Sequence, residues 1–237
     1  MSVETITSRQ NPLMTHLRKL GASRSYRQKS GEYLCDGTKL LAEALKWHAP
    51  VRTAVFSDGA DIPELPDTVR AVRVSGELMR SVSPMETPQG ALFTVALPET
   101  RLPETLSGRH YLVLDGVQDP GNVGTIIRTA DAAGLDGVLL SNQCADVFSP
   151  KVLRATMGSI FRMNLRTTDD LPGELTKLRE KGYSILSSQL DGTPFYERQG
   201  VAERFALIIG NEGNGVSEQV QQTATHRVRL PMRGGAE

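Results

Sequence analysis

The 237-residue sequence has few of the features that mark several large classes of protein. Its two cysteines, Cys35 and Cys144, lie far apart and outside any Cys-x-x-Cys pattern, which argues against a disulfide scaffold. No apolar run is long enough to cross a bilayer, and charged residues occupy the N-terminus where a signal peptide would be apolar. We therefore expect a cytoplasmic protein with two reduced thiols and no membrane association.

Motifs of hydrolases and metal sites are also missing. The sequence contains neither Gly-x-Ser-x-Gly nor His-Glu-x-x-His, so neither a serine hydrolase nor a zinc protease is indicated. Its four histidines are scattered and have no cysteine or histidine at ligand spacing. We therefore predict no metal site.

The net charge is zero, because 27 lysines and arginines balance 27 acids, and this argues against a general nucleic-acid coat protein. The charge is unevenly distributed, however, since residues 1–52 contain nine basic and four acidic side chains. Residues 5–31 contain no acid, and such a cluster favours contact with nucleic-acid phosphates through counterion release. A solvated basic helix face is the alternative. The basic residues of this stretch are Arg9, Arg18, Lys19, Arg24, Arg27 and Lys29.

Two aromatic residues near this cluster have different predicted roles. Tyr26 lies between Arg24 and Arg27, which makes it the better candidate for stacking on a nucleobase. Trp47 follows Leu41 and Leu45 in an amphipathic segment, and we assign it to the core.

Composition divides the chain into two α/β parts. Residues 1–97 alternate short helices with strands and predict a small α/β domain, and residues 98–108 contain two prolines and a terminal glycine, which is typical of a linker. Residues 109–237 alternate apolar strands with helices, which predicts a doubly covered parallel sheet. In this part we expect strands at 111–114, 137–140, 161–165, 183–186, 205–209 and 228–230, and helices at 122–134, 150–158, 171–181 and 216–224.

The first glycine-rich segment, residues 115–124, joins a strand to a helix. Its glycines do not have the spacing of a dinucleotide-binding loop, and no Gly-Lys-Ser/Thr of a Walker loop follows. Asn122 lies at the start of the helix, and Arg128 follows about 9 Å further along the axis. Arg128 either emerges as a functional cation or forms a salt bridge with Asp115 or Asp131, and spacing alone leaves both open.

A second such segment, residues 208–217, follows the most apolar strand. Its three glycines, Gly210, Gly213 and Gly215, indicate positive φ angles or a close backbone approach to a ligand, although a plain tight turn is the alternative. Glu212 could pair with Arg128 or accept a hydrogen bond from a ligand. A third strand runs into a glycine loop at residues 230–237. Ligands of open α/β sheets bind at the carboxyl ends of strands, and the first two segments are expected to lie there.

These segments resemble the SpoU (TrmH-like) branch of the SPOUT RNA methyltransferases, and the resemblance covers essentially the whole chain. The family's first motif, Asn-x-Gly-x-x-x-Arg-Thr-Ala, is matched at residues 122–130, and its second, Gly-Asn-Glu-Gly-x-Gly, at residues 210–215. The third motif begins like Leu230-Pro231-Met232, and residues 149–159 are similar to the stretch between motifs. Residues 8–12 and 83–90 are typical of the family's small substrate-binding domain.

The resemblance implies an α/β fold, with an RNA-binding domain at 1–97 and a trefoil-knotted SPOUT methyltransferase domain at 109–237. It implies transfer of a methyl group from S-adenosylmethionine to a ribose 2′-hydroxyl of rRNA or tRNA, with rRNA preferred, by a homodimer. Arg128, held by Asn122 and Glu212, would form the catalytic group. We favour Arg128 as a stabiliser of phosphate and alkoxide over a base, because a guanidinium rarely releases its proton. The implied cofactor-binding residues are Gly210, Asn211, Gly213, Leu230 and Met232.

One departure from the family pattern concerns the C-terminus. In the family, the third motif continues into a Ser-x-Asn segment and a long helix that complete the cofactor pocket, the knot and the dimer interface. The sequence ends at Glu237, where that segment would start. We therefore expect the final knot helix to be missing and dimerisation to be doubtful. A non-catalytic RNA-binding protein, or an inactive fragment of such an enzyme, remains the alternative.

Overall fold

The computed structural model describes residues 3–103 and 106–234. Contacts group residues 1–99 with 146–162 in a first compact unit, and residues 100–145 with 163–237 in a second. Within the described ranges, no helix has the length and apolar content that crossing a membrane requires. Residues 104 and 105 of the predicted linker and residues 235–237 of the third motif lie outside the described ranges.

The described residues form strands and helices in alternation. In chain order they are β1 (Glu4–Ile6), α1 (Pro12–Ala22), α2 (Arg24–Ser30), β2 (Glu32–Asp36), α3 (Thr38–Lys46), β3 (Val51–Ser57), β4 (Arg70–Val74), α4 (Gly76–Val82), β5 (Ala91–Ala96), β6 (His110–Leu114), α5 (Pro120–Ala132), β7 (Gly137–Ser141), α6 (Pro150–Thr156), a 3₁₀ turn (Ser159–Phe161), β8 (Leu165–Thr168), α7 (Leu171–Glu180), β9 (Ser184–Pro194), a second 3₁₀ turn (Phe195–Glu197), β10 (Phe205–Ile209), α8 (Glu218–Gln221) and β11 (His226–Arg229).

The first unit is built on a five-stranded sheet in the order β1-β4-β3-β5-β2. β1, β4 and β3 are parallel, and β5 runs antiparallel to both of its neighbours. Helix α1 begins behind Asn11, whose side chain accepts a hydrogen bond from the backbone N–H of Leu13. Leu13, Leu17 and Leu20 of α1 are buried in one cluster with residues of the strands, so they form the apolar face of this helix.

Residues 146–162 have their contacts in this first unit, whereas the sequence assigns them to the 109–237 domain. The ring of Phe148 lies 4.9 Å from that of Tyr33, and Val152 and Leu153 of α6 are buried. The carboxylate of Asp146 forms an ion pair with the nearly buried guanidinium of Arg27. The sequence predicted a helix at residues 150–158, but it could not tell which surface that helix covers.

The second unit contains a six-stranded sheet in the order β11-β9-β10-β6-β7-β8, in which every neighbouring pair is parallel. This confirms the predicted parallel sheet. The apolar central strands are deeply buried, as in β6, whose residues 111–114 are all buried. Helices α7 and α8 contribute Leu171, Leu175, Leu178 and Val220 to the core cluster that includes residues of β6, β9 and β10.

Several predicted elements differ from the structure. Residues 159–161 form a 3₁₀ turn, and the strand predicted at 161–165 begins only at Leu165. Strand β9 continues to Pro194, because β11 pairs with it again after a register shift. Helix α8 is shorter than residues 216–224, and β1, α2 and α4 were not predicted. Trp47, which was assigned to the core, is 46% exposed.

The ion pair between Arg27 and Asp146 predicts a large effect of a single truncation. Asp146→Ala leaves a guanidinium whose side chain is only 6% exposed without its carboxylate. We expect the free energy of unfolding of the first unit to fall by about 3 kcal/mol. Urea denaturation followed by the fluorescence of Trp47, the one tryptophan of the chain, measures this effect. Glu4→Ala is the matched control, because its pair with Arg70 is exposed and contributes less than about 1 kcal/mol. Equal effects of the two substitutions would contradict the assignment of residues 146–162.

Candidate active site

Two loops meet at the carboxyl edge of the second unit's sheet. Strands β6 and β10 are parallel neighbours, and their last residues, Leu114 and Ile209, are paired. The chain leaves β6 into residues 115–119 and leaves β10 into residues 210–217. Because parallel neighbours end at the same edge, the first and second glycine-rich segments come together there, as predicted.

The loop after β10 is closed on itself. Asn211 and Gly215 exchange two backbone hydrogen bonds of 2.9 Å, and the Asn211 side-chain oxygen accepts from the backbone N–H groups of Gly213 and Asn214. A Cβ atom on Gly210 would lie 2.1 Å from the carbonyl carbon of Gly215, so only glycine fits at residue 210. Gly215 has a φ of 68°, in the left-handed region that favours glycine.

Side chains of the second loop hold the first. The Asn211 amide donates to the carbonyl oxygen of Gly116 at 2.8 Å. The buried carboxylate of Asp115 accepts from the backbone N–H of Ser217 at 2.7 Å. Asn211 and Asp115 therefore hold the two loops together.

Glu212 makes the most extensive connection between the loops. Its carboxylate accepts from the side-chain amide of Asn122 at 3.0 Å and from the backbone N–H groups of Asp119 and Gln118 at 3.0 and 3.1 Å. The Asn122 hydrogen bond, reinforced by the backbone donors, lowers the pKa of Glu212 to about 2. The carboxylate lies on the surface, and it therefore stays ionised at neutral pH and well into the acid range.

A pocket of about 270 Å³ opens beside this connection. Its walls are partly apolar, and its polar groups come from the start of α5 and from Glu212. An organic ligand with a flat apolar part and a positive charge is complementary to such a lining. The lining residues are Val117, Asn122, Thr125, Ile126, Ile209, Gly210 and Glu212.

Arg128 lies on the exposed surface of α5, well after Asn122 in the same helix. Among the described residues, none forms a hydrogen bond or ion pair with Arg128. Of the two alternatives for Glu212, the pair with Arg128 is not formed, because the carboxylate is bound to Asn122 and the loop N–H groups instead. The alternative salt bridge to Asp115 or Asp131 is not formed either, and Arg128 emerges as a cation.

The five residues implied for cofactor binding are not all brought together. Gly210 lines the pocket, while Asn211 and Gly213 lie in the same loop without lining it. Leu230 and Met232 follow β11, which is separated from β10 by β9, and they are 62% and 60% exposed. Across the described part of the chain, no group of three histidine, cysteine or acidic side chains could hold a metal ion.

The basic residues assigned to RNA lie in the first unit, and all but one are exposed. Arg9 pairs with Glu77, Arg18 donates to the carbonyl oxygen of Arg9, and Arg24, Lys19 and Lys29 are also exposed. Arg27 is buried, however, and donates to Leu20 and Asp146, so its assignment to RNA binding is wrong. An arginine in a basic run can serve the fold, and the run itself does not reveal which one does.

Tyr26, the predicted stacking residue, is half-buried. Its hydroxyl lies 3.0 Å from Nδ1 of His16, and the ammonium group of Lys19 lies 5.4 Å from the centre of its ring. Three further residues of the site, Gln118, Asp119 and Ser217, could not be identified from the sequence. They act through backbone N–H groups, for which side-chain chemistry gives no signal.

Comparison with known proteins gives the family of this chain. Residues 109–237 match the SpoU rRNA Methylase family, and residues 11–92 match the MRM3-like substrate binding domain. The chain is 34% identical to the 23S rRNA (guanosine(2553)-2'-O)-methyltransferase RlmP of Bacillus subtilis, over 99% of this chain and 93% of that protein. The chain belongs to the SpoU rRNA methylase family, which confirms the resemblance.

Solved structures of similar proteins confirm the fold. A TrmH-family protein from Porphyromonas gingivalis superposes with a TM-score of 0.83 at 32% identity, covering 96% of this chain and 90% of that chain. An AdoMet-bound rRNA methyltransferase from Sinorhizobium meliloti superposes with a TM-score of 0.84 at 27% identity, covering 99% and 91%. The predicted SPOUT-type α/β architecture is therefore correct.

The close approach at Gly210 predicts a sharp difference between two glycines of one loop. In Gly210→Ala the new methyl group would overlap the backbone of residues 215 and 216, so we expect a lower melting temperature and a disordered loop. In the matched control, Gly213→Ala, the nearest atom is 3.6 Å away and φ is not positive, so we expect a melting temperature close to that of the parent. Differential scanning calorimetry makes the measurement, and equal melting temperatures would contradict the loop geometry.

The low pKa of Glu212 predicts a pH-dependent contribution to stability. A carboxyl with an ordinary pKa of 4.5 when unfolded and about 2 when folded stabilises the fold above pH 4.5. That contribution is lost as the pH falls from 4.5 towards 2. We therefore expect the urea midpoint of the parent to exceed that of Glu212→Gln at pH 7, and the difference to shrink over this acid range. A difference that stays constant with pH would show that Glu212 is not bound as described.

Proposed function

We propose that this protein transfers a methyl group from S-adenosylmethionine to a ribose 2′-hydroxyl of ribosomal RNA. The observation that carries the proposal is the pocket at the joined loops, where Glu212 is hydrogen-bonded to Asn122. Arg128 extends from α5, the helix that also contains Asn122. Membership in the SpoU family and the likeness to RlmP over nearly the whole chain support it. Transfer RNA is the second substrate class that this chemistry admits.

The pocket residues fit S-adenosylmethionine. Val117, Ile126 and Ile209 offer apolar surface to the adenine ring, and the ionised Glu212 provides negative charge beside a cationic sulfonium. The bound cofactor supplies an activated methyl group. We assign its binding to the loop of Gly210, Asn211 and Gly213, together with Leu230 and Met232 of the third motif.

Arg128 is proposed as the group that acts on the RNA. A guanidinium keeps its proton at neutral pH, so Arg128 binds the phosphate and stabilises the alkoxide that develops on the ribose oxygen. Because no described residue neutralises it, its charge is available to an anion. Asn122 and Glu212 fix the start of α5 and thereby the direction in which the helix presents Arg128.

We assign RNA binding to the domain of residues 1–97, joined by residues 98–108 to the methyltransferase domain of residues 109–237. The exposed cations Arg9, Arg18, Lys19, Arg24 and Lys29 supply the attraction for phosphates. Both cysteines are free and buried, which agrees with the reducing cytoplasm as the proposed compartment.

A second candidate function is RNA binding without methyl transfer. The exposure of Leu230 and Met232, outside the lining of the 270 Å³ pocket, favours it. The two functions differ in the fate of the cofactor, because only a methyltransferase transfers the tritiated methyl group of S-adenosylmethionine to RNA.

Substitution of Arg128 tests the proposed mechanism. We expect Arg128→Ala to reduce methyl transfer to unmodified ribosomal RNA by at least about 100-fold, since a charge aligned with a developing oxyanion contributes this much. Affinity for S-adenosylmethionine, measured by calorimetric titration, should stay within about twofold, because Arg128 does not line the pocket.

Arg109→Ala is the matched control for Arg128→Ala. Arg109 is an exposed arginine of the same unit, but it precedes β6 and therefore lies at the amino edge of the sheet, where it pairs with Glu203. This variant should keep the parent's activity. An Arg128→Ala variant that retains most of its turnover would overturn the assignment, and cofactor binding without transfer by the parent would favour the second function.

A further inference from the structure

The only tryptophan of the chain is placed on the surface of the first unit. Trp47 ends helix α3, and its side chain is 46% exposed, although an indole is among the most costly side chains to leave in water. The buried face of α3 consists of Leu40, Leu41 and Ala44, and Trp47 lies outside it. Packing in the core of the first unit therefore does not explain why a tryptophan occupies this position.

Two cations lie at the indole ring. The ammonium nitrogen of Lys46 is 5.8 Å from the ring centre, and the guanidinium carbon of Arg162 is 5.1 Å from it. Arg162 is held there by Glu43, one helical turn before Trp47, through an ion pair of 2.8 Å. Both cations therefore lie next to an exposed aromatic surface.

The backbone around this cluster is strained. Among the described residues, positive φ angles outside glycine occur at His48, with 52°, and Met157, with 50°. His48 directly follows Trp47. Met157 precedes Gly158, where an added Cβ would lie 3.0 Å from the side chain of Glu43, and Met157 itself is 59% exposed. Left-handed backbone is unfavourable at such residues, and strain of this kind concentrates at functional sites.

An aromatic ring flanked by cations is suited to an unpaired nucleobase. The base stacks on the ring, and the cations attract the phosphates on either side of it. The surrounding N-terminal region is basic, with nine lysines and arginines against four acids in residues 1–52. A protein partner would bury Trp47 equally well but would not require two cations at the ring.

We propose that Trp47, with Lys46 and Arg162, forms a stacking site for an unpaired nucleobase of the RNA substrate. The site rests on the proposed RNA methyltransferase function and adds a contact in the first unit, outside the pocket where methyl transfer occurs. It replaces Tyr26, which is half-buried against the core of the first unit and whose hydroxyl is bound to His16, as the aromatic contact to RNA.

The fluorescence of Trp47 tests the proposal directly, because no other tryptophan contributes to the signal. Single-stranded oligoadenylate added to the full chain should quench most of this fluorescence, and the same RNA annealed to its complement should not. In fluorescence anisotropy with labelled oligoadenylate, Trp47→Ala should weaken binding by about 5- to 100-fold, as loss of one stacked base does. Trp47→Phe should restore most of the affinity.

Two further variants separate stacking from a structural role. Lys46→Ala should reduce the slope of log affinity against log salt by about 0.7, the value for one phosphate contact on a single strand. Tyr196→Ala is the matched control, because Tyr196 is 81% exposed in the second unit and has no part in the site. It should bind like the parent.

Other outcomes overturn the proposal in distinguishable ways. RNA binding and methyl transfer that leave Trp47 unquenched, with Trp47→Ala at parental affinity, would refute the stacking site alone. A blue shift of Trp47 that grows with protein concentration in the absence of RNA would assign this surface to a second copy of the chain. Absence of both RNA binding and methyl transfer would refute the proposed function as well.

Discussion

The parallel pairing of β6 with β10 is the arrangement on which the candidate active site depends. Because of this pairing, two strands that are distant in sequence terminate at the same edge of the sheet, where Leu114 lies opposite Ile209. The loops that follow would each expose unpaired backbone N–H and C=O groups. Glu212, Asn211 and Asp115 satisfy these groups across the gap, so the two loops stabilise one shape together.

This arrangement explains why Glu212 is ionised without a cationic partner: hydrogen-bond donors of the loops stabilise its charge. Glu212 is stabilised by three hydrogen-bond donors, which lower its pKa, and Arg128 is consequently left without a carboxylate among the described residues. Glu212 is a fixed anion beside the pocket, and Arg128 is an unneutralised cation on α5. The two charges are therefore available to different ligands. The close packing at Gly210 keeps the loop in the single conformation that this division requires.

In the first unit, neighbouring residues of similar chemistry have different environments, because some are buried and others are exposed. Arg27 belongs by sequence to the basic run, but it is buried and binds Asp146, whereas Arg24 and Lys29 next to it stay in water. Trp47 follows an apolar helix face and yet lies outside it, beside Arg162. Both side chains contact the segment of residues 146–162, so the basic domain acquires its final surface only when this distant segment packs on it.

Sequence alone determined the alternation of strands and helices, the parallel sheet and the residues of the three motifs, because periodicity and glycine spacing are local properties. It could not determine which side chain pairs with which. It left open whether Glu212 pairs with Arg128, and in the structure Glu212 is bound to Asn122 and to backbone N–H groups. The sequence does not reveal which backbone N–H groups will donate to a side chain. It also does not distinguish a buried arginine from an exposed one. Strand order and the packing of residues 146–162 bring residues distant in sequence together, so only the tertiary structure decided the partners of Glu212, the burial of Arg27 and the exposure of Trp47.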